Sequence, residues 1–590
     1  MRLKIIIGFI IFIILLLLGR VYYLSIIANE HFEKLSQKNY IKKIYKVASR
    51  GSILDRNGKY LAVNKVGFSI NIKPHLRSKK NFKNVEEVSK LIVKYFPKFK
   101  YEKLLTKYKQ LDSPYRHDLV KIVDYISYDE FFKFYSIFNS NENVEIKSST
   151  IREYLYNDVA AHVLGYMGKT TKRDIEKDKT TKYFDSSGKS GIEKYYDNEL
   201  RGSLGYEETQ VNSLYQKIKI LKEVKPEKKD IKLTLDIELQ KYVHELFDKK
   251  AGAVIVMDSN NGEILAAGSF PEFDNNLFVN GISHKEWQNI LNDLNHPFTN
   301  KLVHGHYPPG SVIKMGVAHS FMENGLGTNY EVFASGEIEL GNRKFRDWKK
   351  GGHGLTGYVK AIRQSVDVFF YKGSLKIGID KIHDTLDKYG FGHQTGVDQP
   401  NEFKGVNPNK EWKKKKYNKP WYMGETVVSS IGQGYILVTP MQVARYTAAL
   451  TNGELPTPHF LKSDELNNKK QKVEIGKKEL KILQKGMYEV TSHKKGTASK
   501  YIKSKVKIAA KTGTAQVVGI PQSEKKRMHE YELEYFQRSQ AWLTTYAPYK
   551  NPKYVVTILV EHGGHGGSAA GPMAGKIFDK LIELGYINEK

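Results

Sequence analysis

The chain begins with a long apolar segment that directly follows a short basic N-terminus. Ile5 to Gly19 is an almost wholly apolar run behind Arg2 and Lys4, and further apolar residues extend it to Ile27. About 20 apolar residues span a bilayer, and a short basic N-terminus stays on the cytoplasmic side. A cleaved signal peptide is the alternative, but no small-x-small cleavage site precedes Asn29. We expect residues 1–4 in the cytoplasm, an anchor over 5–27, and the remainder outside a cytoplasmic (inner) membrane crossed once.

The C-terminal part alternates between strand and helix patterns. Ala253 to Met257 is a short continuous apolar run, and Asn260-Asn261-Gly262 turns it towards an antiparallel partner at Ile264 to Ala267. Two more strands are predicted over Ala541 to Tyr546 and Tyr554 to Val560, and an amphipathic helix over Ile577 to Leu584. Strands at both ends of a helical block predict an α+β domain whose antiparallel sheet closes only when the ends meet.

The region between anchor and sheet has a different pattern. Asn57-Gly58 predicts a tight turn between a strand ending near Leu54 and one resuming at Tyr60. Helical spacing over about 76–150 predicts an inserted helical subdomain, and Pro226 with its charged neighbours marks a boundary. We therefore expect one region over 28–228 and a separate domain over 229–590.

Composition narrows the classes of function. The chain has 590 residues and no cysteine, which excludes disulfides and thiolate metal sites. Its formal charge of +30 would suit a nucleic-acid partner, but the sequence contains no recognisable nucleic-acid-binding module. A membrane surface or an anionic polymer explains the charge equally well, and we expect no nucleic-acid partner.

Three short motifs carry the candidate chemistry. They are, in order, Ser311-Val312-Ile313-Lys314, Ser365-Val366-Asp367 and Lys511-Thr512-Gly513-Thr514. Each motif alone is weak, and Ser-x-x-Lys also occurs at Ser186, Ser492, Ser504 and Ser523. Their order and spacing together make coincidence improbable.

The residue types fit nucleophilic catalysis. Tyr307-Pro308-Pro309-Gly310 predicts that a helix begins at Ser311, which places Lys314 on the same face, within reach of the Ser311 hydroxyl. A lysine can take the serine proton only if burial or nearby positive charge lowers its pKa.

The other two motifs supply supporting groups. Ser365 could relay a proton to a leaving amine, and Asp367 could orient a lysine or accept a substrate amide. Lys511 and the hydroxyls of Thr512 and Thr514 suit a substrate carboxylate, and Gly513 lets a substrate backbone approach. The amides of Ser311 and Thr514 could form an oxyanion hole. We expect no cofactor.

The motif set resembles that of the penicillin-binding serine acyl-enzymes. From Tyr23 to about Gly585 the chain looks like a class B penicillin-binding protein, a membrane-anchored D,D-transpeptidase. The resemblance implies an elongated pedestal of the dimerisation type over 28–228 and a transpeptidase domain over 229–590, in which an antiparallel sheet lies between helical layers. Further matching segments are Arg50-Gly51 with Asp55 to Gly58, Gly188 to Glu193, Gly432-Gln433-Gly434 with Thr439-Pro440, and Trp542 with Ala547-Pro548.

Within class B, the cell-elongation type, penicillin-binding protein 2, is the more similar. Asp367 and the segments Phe345 to Trp348, Gly352-His353-Gly354 and Gly424-Glu425-Thr426 are typical of it, whereas the septal type usually carries Asn at position 367. Asp347 and His353 are two metal-ligand types without a cysteine, and we interpret them as a structural loop. We predict no metal.

The resemblance implies a reaction and partners. Ser311 would attack the penultimate D-alanine of a D-Ala-D-Ala stem peptide, and an amine of a second stem would resolve the acyl-enzyme during peptidoglycan synthesis. β-Lactams would acylate the same serine. A SEDS-type glycosyltransferase and other elongation-complex proteins would be partners. The alternatives are a septal-type transpeptidase, a hydrolase such as a β-lactamase or carboxypeptidase, and a β-lactam-binding scaffold.

Overall fold

The computed structural model describes residues 2–30, 40–78, 80–114, 118–212, 217–279, 281–517 and 529–588. These residues form two compact units, and each is described by itself below. The smaller unit comprises Met1–Gly51, Thr170–Asp185 and Asn198–Asp230, and the larger one Ser52–Lys169, Ser186–Asp197 and Ile231–Lys590.

The smaller unit contains the apolar helix and a small sheet. Arg2–Tyr22 is α-helical and continues as a π-helical turn over Tyr23–Ile27. Within the described residues, Arg2–Ile27 is the one helix long and apolar enough to cross a membrane, with a mean hydropathy of 2.8. An antiparallel sheet and short helices complete the unit: strands Ile41–Lys46, Gly205–Val211 and Lys217–Val224, and helices Lys172–Lys177, Lys179–Tyr183 and most of Asp197–Arg201.

The larger unit begins with a sheet built on one long strand. Tyr60–Ile72 pairs antiparallel with Ile53–Leu54, Val120–Ser127 and Val144–Tyr154, and Ile53–Leu54 pairs parallel with Ile231–Lys232. The turn predicted at Asn57-Gly58 is present, with Gly58 at a φ of +88°. Short elements follow in this part: helices Ala161–Leu164 and Gly191–Tyr195, and paired strands Met167–Lys169 and Ser186–Gly188.

The inserted subdomain is not wholly helical as the sequence spacing predicted. It has helices Phe82–Tyr95, Tyr101–Leu111, Tyr128–Phe132 and Tyr135–Asn139, but Val120–Ser127 and Val144–Tyr154 are strands. In Val120–Ser127 the buried positions are Val120, Ile122, Val123 and Ile126. β-Branched residues at nearly alternate positions favour a pleated strand, and they pack against the helices in one core.

The predicted second sheet is present and has five strands. Its order is Ile264–Phe270, Gly252–Asp258, Tyr554–Val560, Gln540–Ala547 and Ala509–Ala515, with every neighbouring pair antiparallel. Gly252–Asp258 lies beside Tyr554–Val560, so the sheet does close by joining the two ends of the domain. Its strands are almost wholly buried, since helices cover both faces.

Each face of this sheet has its own helical layer. Ile237–Phe247 and the C-terminal helix Gly566–Glu583 pack on one face, where Val243, Phe247, Ile577 and Phe578 join the main apolar core. Pro440–Asn452 covers the other face, and its Thr447 shares a hydrogen bond of 2.6 Å with Thr544 in the sheet. An antiparallel sheet between helical layers is therefore confirmed.

The remaining elements lie between the strands of this sheet in the chain. The helices are Asn276–Val279, His284–Asn292, Lys301–His304, Gly310–Ile313, Lys314–Phe321, Met322–Leu326, Tyr358–Arg363, Asp367–Ile377, Ile379–Lys388, Lys410–Tyr417, Met423–Ser429, Asp464–Asn467, Lys477–Ser492, Glu530–Glu532 and Tyr535–Gln537. The short strands are Glu331–Ala334, Glu337–Leu340, Arg343–Arg346, Gly354–Gly357, Glu454–Pro456 and Lys470–Lys472.

Candidate active site

The segment around Ser311 is held by backbone contacts. Gly310–Ile313 forms one 3₁₀ turn that leads into the α-helix Lys314–Phe321, so Ser311 lies at a helix start as predicted. Gly310 has a φ of +55° and donates its N–H to Gly432 O at 2.8 Å. Trp542 Nε1 donates to Pro308 O at 3.1 Å. Ser311 is thereby fixed at the start of the helix, half-buried.

Lys314 is fully buried and points at the second motif. Its Nζ donates to Asp367 Oδ1 at 2.6 Å, to Ser365 O at 3.0 Å and to Ser365 Oγ at 3.3 Å. The sequence places Lys314 within reach of the Ser311 hydroxyl, but in the described part of the chain no hydrogen bond joins Lys314 Nζ and Ser311 Oγ. The carboxylate of Asp367 attracts the ammonium more strongly than a neutral hydroxyl does, which explains this orientation.

Ser365 connects the two lysines of the motifs. It lies between the helices Tyr358–Arg363 and Asp367–Ile377, with a φ of +54° that a serine seldom adopts. Its hydroxyl accepts hydrogen bonds from Lys314 Nζ at 3.3 Å and from Lys511 Nζ at 2.9 Å. With both amines donating, the proton of this hydroxyl is available to a third group.

Lys511 is the most strongly perturbed of these groups. Its side chain is fully buried, and its Nζ donates to Ser365 Oγ at 2.9 Å and to Thr512 O at 2.8 Å. Burial holds the pKa of Lys511 well below its usual value, and the nearby charge of Lys314 lowers it further, against the opposing effect of Asp367. The site therefore contains a lysine that readily becomes a neutral amine.

The third motif lies on the edge strand Ala509–Ala515, beside the Ser311 turn. A side chain at Gly513 would meet Pro309 O and Val312 Cγ1 at 3.1 Å, so glycine allows the strand to approach. A side chain at Gly310 would likewise lie 3.1 Å from Thr514 O. The backbones of Ser311 and Thr514 are thus near neighbours.

The two threonines of this motif are placed differently. Thr512 shares a hydrogen bond of 2.8 Å between its Oγ1 and Thr497 Oγ1. Thr514 is half-buried and pairs across the sheet with Ala541. Thr497, which the sequence reasoning missed, is brought to the motif by the turn that follows the helix Lys477–Ser492.

Asp347 and His353 form a buried pair behind the second motif. His353 Nε2 lies 3.1 Å from Asp347 Oδ1, and Val368 N donates to Asp347 Oδ2 at 3.0 Å. Burial raises the pKa of Asp347, but the hydrogen bonds from His353 and Val368 N outweigh it, and the pKa is lowered. Asp347 therefore caps the helix that begins with Asp367. No group of three or more metal-ligand side chains occurs in the described part of the chain.

The alternative Ser-x-x-Lys serines lie elsewhere. Ser186 and Ser492 are exposed, and Ser504 donates to Asp579 Oδ1 at 2.7 Å. Ser523 lies outside the described residues. The structure brings Lys314, Ser365, Asp367 and Lys511 together at hydrogen-bonding distances, and places Ser311 beside the strand with Thr512, Gly513 and Thr514.

Comparison with known families agrees with this geometry. Residues 252–583 match the penicillin binding protein transpeptidase domain, and residues 45–233 match the penicillin-binding protein dimerisation domain. The fold and the lysine–serine cluster thus define a serine acyltransferase of the penicillin-binding class.

Relatives that match over most of their length identify the family within this class. The chain is 34% identical to the peptidoglycan D,D-transpeptidase MrdA of Haemophilus influenzae, over 98% of this chain and 90% of that one. It is also 34% identical to MrdA of Escherichia coli K12, over 96% and 91%. The chain therefore belongs to the MrdA, or penicillin-binding protein 2, family of class B penicillin-binding proteins.

Solved structures show the same relationship. The penicillin-binding protein 2 in its complex with MreC from Helicobacter pylori is 42% identical, with a TM-score of 0.85, covering 93% of this chain and all of that one. A peptidoglycan synthase complex that coordinates polymerization and crosslinking contains a chain 25% identical, with a TM-score of 0.69.

Proposed function

We propose that this protein is a peptidoglycan D,D-transpeptidase of cell-wall elongation, and that its acyl-enzyme forms on Ser311. The observation that carries the assignment of residues is the hydroxyl of Ser365, shared by Lys314 and Lys511 beside the Ser311 turn. Such a chain of amine, hydroxyl and amine can take a proton from a nucleophile and return it to a leaving group.

In the acylation step, Ser311 Oγ bonds to the carbonyl carbon of the penultimate D-alanine. Lys314, in its neutral form, takes the hydroxyl proton. The bond to the terminal D-alanine then breaks as Ser365 Oγ passes its proton to the departing amine, and Lys314 gives Ser365 Oγ the proton that it took from Ser311. Because its pKa is lowered, Lys511 readily exchanges a proton with the Ser365 hydroxyl, to which its Nζ donates at 2.9 Å. Asp367 holds the Lys314 amine in position.

Deacylation runs the same path in reverse. The amine of a second stem peptide attacks the ester carbon and gives up a proton, which returns to Ser311 Oγ as the ester bond breaks. In both steps the amides of Ser311 and Thr514 would stabilise the oxyanion. Thr512 and Thr514 would hold the donor carboxylate through their hydroxyls, with Lys511 supplying positive charge and Gly513 leaving room for the donor backbone.

The reaction is tested with a stem pentapeptide donor and an amine acceptor. The purified protein should release D-alanine and form cross-linked product, and Ser311→Ala should do neither. Release of D-alanine without cross-linking would favour the carboxypeptidase alternative. A donor with an amidated terminal carboxylate should react poorly with wild type and lose much less on Lys511→Ala. Equal penalties would remove Lys511 from carboxylate recognition.

We also propose the membrane topology and domain division expected from the sequence. Residues 1–4 lie in the cytoplasm, 5–27 span the membrane, and the pedestal (28–228) and transpeptidase domain (229–590) lie outside. The chain has no cysteine, so single cysteines report topology cleanly. A membrane-impermeant maleimide should label Lys478→Cys in intact spheroplasts and label Leu3→Cys only after lysis. The reverse pattern would overturn the orientation.

The partner we propose is a multi-span SEDS-type glycosyltransferase that supplies nascent strands. The similarity to a chain of a peptidoglycan synthase complex supports this pairing, and the anchor with the pedestal would provide the contact. Depletion should give rounded cells that still divide. Filaments blocked at division would support the septal-type alternative. Growth of cells carrying Ser311→Ala would instead favour a scaffold that does not need catalysis.

A further inference from the structure

A second surface near the active site combines a cluster of tilted and edge-on aromatic rings with lysines that have no carboxylate partner among the described residues. It is formed by the helix Lys410–Tyr417 and the loop after Met423–Ser429. We call it the lysine–aromatic face, and its members are Trp412, Lys414, Lys415, Lys416, Tyr417 and Tyr435.

The face rests on a partly buried ion pair. Lys413, 2% exposed, pairs with Glu425, and the ring centroid of Tyr422 lies 4.6 Å from Lys413 Nζ. Tyr435 donates its hydroxyl to Glu425 Oε1 at 3.3 Å, and Tyr422 N donates to Glu425 Oε2 at 2.8 Å. These contacts to Lys413 and Glu425 hold Tyr422 and Tyr435 in place, so the face is ordered before a ligand binds.

The rings form one cluster that remains accessible. The centroid of Tyr435 lies 5.4 Å from that of Trp412 and 5.5 Å from that of Tyr417, which is 44% exposed. Rings of tyrosine and tryptophan offer an apolar face with a polar edge. Such a face suits the apolar side of a sugar ring, whose hydroxyls stay in water.

The lysines supply uncompensated charge. Lys414, Lys415 and Lys416 are exposed, and in the part of the chain that the structure describes no carboxylate lies within 4.0 Å of them. By contrast, Lys410 on the same helix pairs with Asp380 at 2.9 Å. Lys416 Nζ lies 5.2 Å from the ring centroid of Trp412 and 5.5 Å from that of Tyr417. Because none of the three amines has a carboxylate partner among the described residues, they favour an anionic ligand.

The face lies within reach of the nucleophile. Tyr435 follows Gly432 by three residues, which limits their Cα–Cα separation to about 11 Å. Gly432 O accepts the N–H of Gly310, the neighbour of Ser311. A polymer that presents a stem peptide to Ser311 therefore has this face within its reach.

We propose that the lysine–aromatic face binds the peptidoglycan strand whose stem peptide reacts at Ser311. Sugar rings stack on Trp412, Tyr417 and Tyr435, and stem-peptide carboxylates pair with Lys414, Lys415 and Lys416. The inference rests on the proposed function. Proximity to Ser311 favours this polymer over a lipid surface, although both carry negative charge.

The charge contribution is tested by binding of purified, uncross-linked peptidoglycan strands in the Ser311→Ala background, which prevents turnover. Combining Lys414→Glu, Lys415→Glu and Lys416→Glu should weaken strand binding about tenfold, as expected for three exposed ion pairs. The matched control combines Lys477→Glu, Lys478→Glu and Lys481→Glu on another helix and should bind like the parent. Strands with amidated carboxylates should lose the difference between the two triple variants.

The aromatic contribution is tested separately. Tyr417→Ala should weaken binding of glycan strands stripped of their peptides, whereas the lysine variants should change that binding little. Added salt should weaken binding of intact strands to the parent protein, since exposed charges are screened. If salt has no effect, the proposal is wrong, whatever the folding of the variants.

Penicillin acylation of the same variants with Ser311 restored separates the two proposals. No adduct on the wild type would overturn the proposed function itself. A normal adduct together with equal strand binding by both triple variants would overturn only the face. Substituting the three lysines by Gln provides a milder variant if the Glu variants do not fold. Loss of binding to anionic lipid vesicles, with strand binding intact, would assign the face to a membrane instead.

Discussion

Lys511 Nζ donates a hydrogen bond of 2.9 Å to Ser365 Oγ, and the same hydroxyl also accepts one from Lys314 Nζ at 3.3 Å. Two amines that donate to one hydroxyl direct its proton outward. The side chain is therefore arranged to give a proton to a departing amine rather than to attack a carbonyl itself.

This relationship predicts the effect of removing the shared hydroxyl. Ser365→Ala should slow penicillin acylation by about a hundredfold or more, as expected when a positioned proton-transfer group is lost. Stopped-flow acylation of the purified protein measures the rate. Ser492→Ala, at an exposed Ser-x-x-Lys serine, is the matched control and should acylate at the parental rate. Equal rates for the two variants would exclude Ser365 from the proton path.

The carboxylate of Asp367 should matter as a hydrogen-bond acceptor for Lys314. Asp367→Ala leaves a buried amine without its shortest partner, 2.6 Å away, and should lower the free energy of unfolding by about 2–3 kcal/mol. Asp367→Asn keeps an oxygen acceptor and should lower it by about 1 kcal/mol or less. Chemical denaturation of both variants tests this order, and a larger loss for Asn than for Ala would contradict it.

Asp347 should stabilise the second motif from behind. No side chain of its own caps the helix Asp367–Ile377, whereas Asp347 Oδ2 accepts the Val368 N–H at 3.0 Å. Asp347→Ala should therefore lower the unfolding free energy by about 2 kcal/mol and slow acylation, because a helix cap and a buried partner of His353 are lost together.

The control for Asp347 is an exposed pair of the same kind. Asp387 Oδ1 lies 2.7 Å from His393 Nε2 on the surface. Asp387→Ala should cost under about 1 kcal/mol, as exposed pairs do. If the two substitutions change the unfolding free energy and the acylation rate equally, Asp347 does not stabilise the second motif.

Glu272 should make stability depend on pH. Burial raises its pKa to about 7, against the hydrogen bond of 2.6 Å between Glu272 Oε2 and His244 Nδ1, and this contact raises the pKa of His244. Both groups bind protons more tightly in the folded than in the unfolded state. Their stabilisation is therefore complete below the unfolded pKa of Glu272, 4.5, and is lost as the pH rises through about 7.

The pH dependence is measured by denaturation at several pH values. Wild type should lose up to about 3 kcal/mol of unfolding free energy between pH 4.5 and 7 from this pair, and Glu272→Gln should flatten the profile. Glu454 is half-buried and pairs with Lys470 at 2.6 Å, and no pKa-shifted histidine among the described residues contacts it, so Glu454→Gln should leave the slope unchanged. A slope of opposite sign, or one that survives in Glu272→Gln, would contradict the assignment.

The sequence pattern predicted the main sheet well because each strand carries its own signal. Gly252–Asp258 and Tyr554–Val560 are continuous apolar runs, and their antiparallel pairing follows from closing one domain. The strands near Val120 and Val144 were missed because lysines and aromatic residues with helical spacing surround them. Local pattern favoured helix there, and packing against the long strand Tyr60–Ile72 decided otherwise.

For the site, motif order predicted which residues meet but not how they are oriented. Lys314 is turned to Asp367, a choice set by competition between acceptors far apart in the chain. Supporting contacts were beyond sequence reasoning for the same reason. Gly316 N donates to the Tyr446 hydroxyl at 2.7 Å, and the two residues are 130 positions apart in the sequence. Local residue spacing cannot predict such a contact.

The most direct test of the account is mass spectrometry of the intact protein after incubation with penicillin, followed by peptide mapping. We expect one covalent adduct per chain, located on Ser311, which Ser311→Ala abolishes and which Lys314→Ala slows by orders of magnitude. Ser492→Ala should acylate like the parent. A stoichiometric adduct on Ser311→Ala, or one mapped to any other serine, would contradict the account.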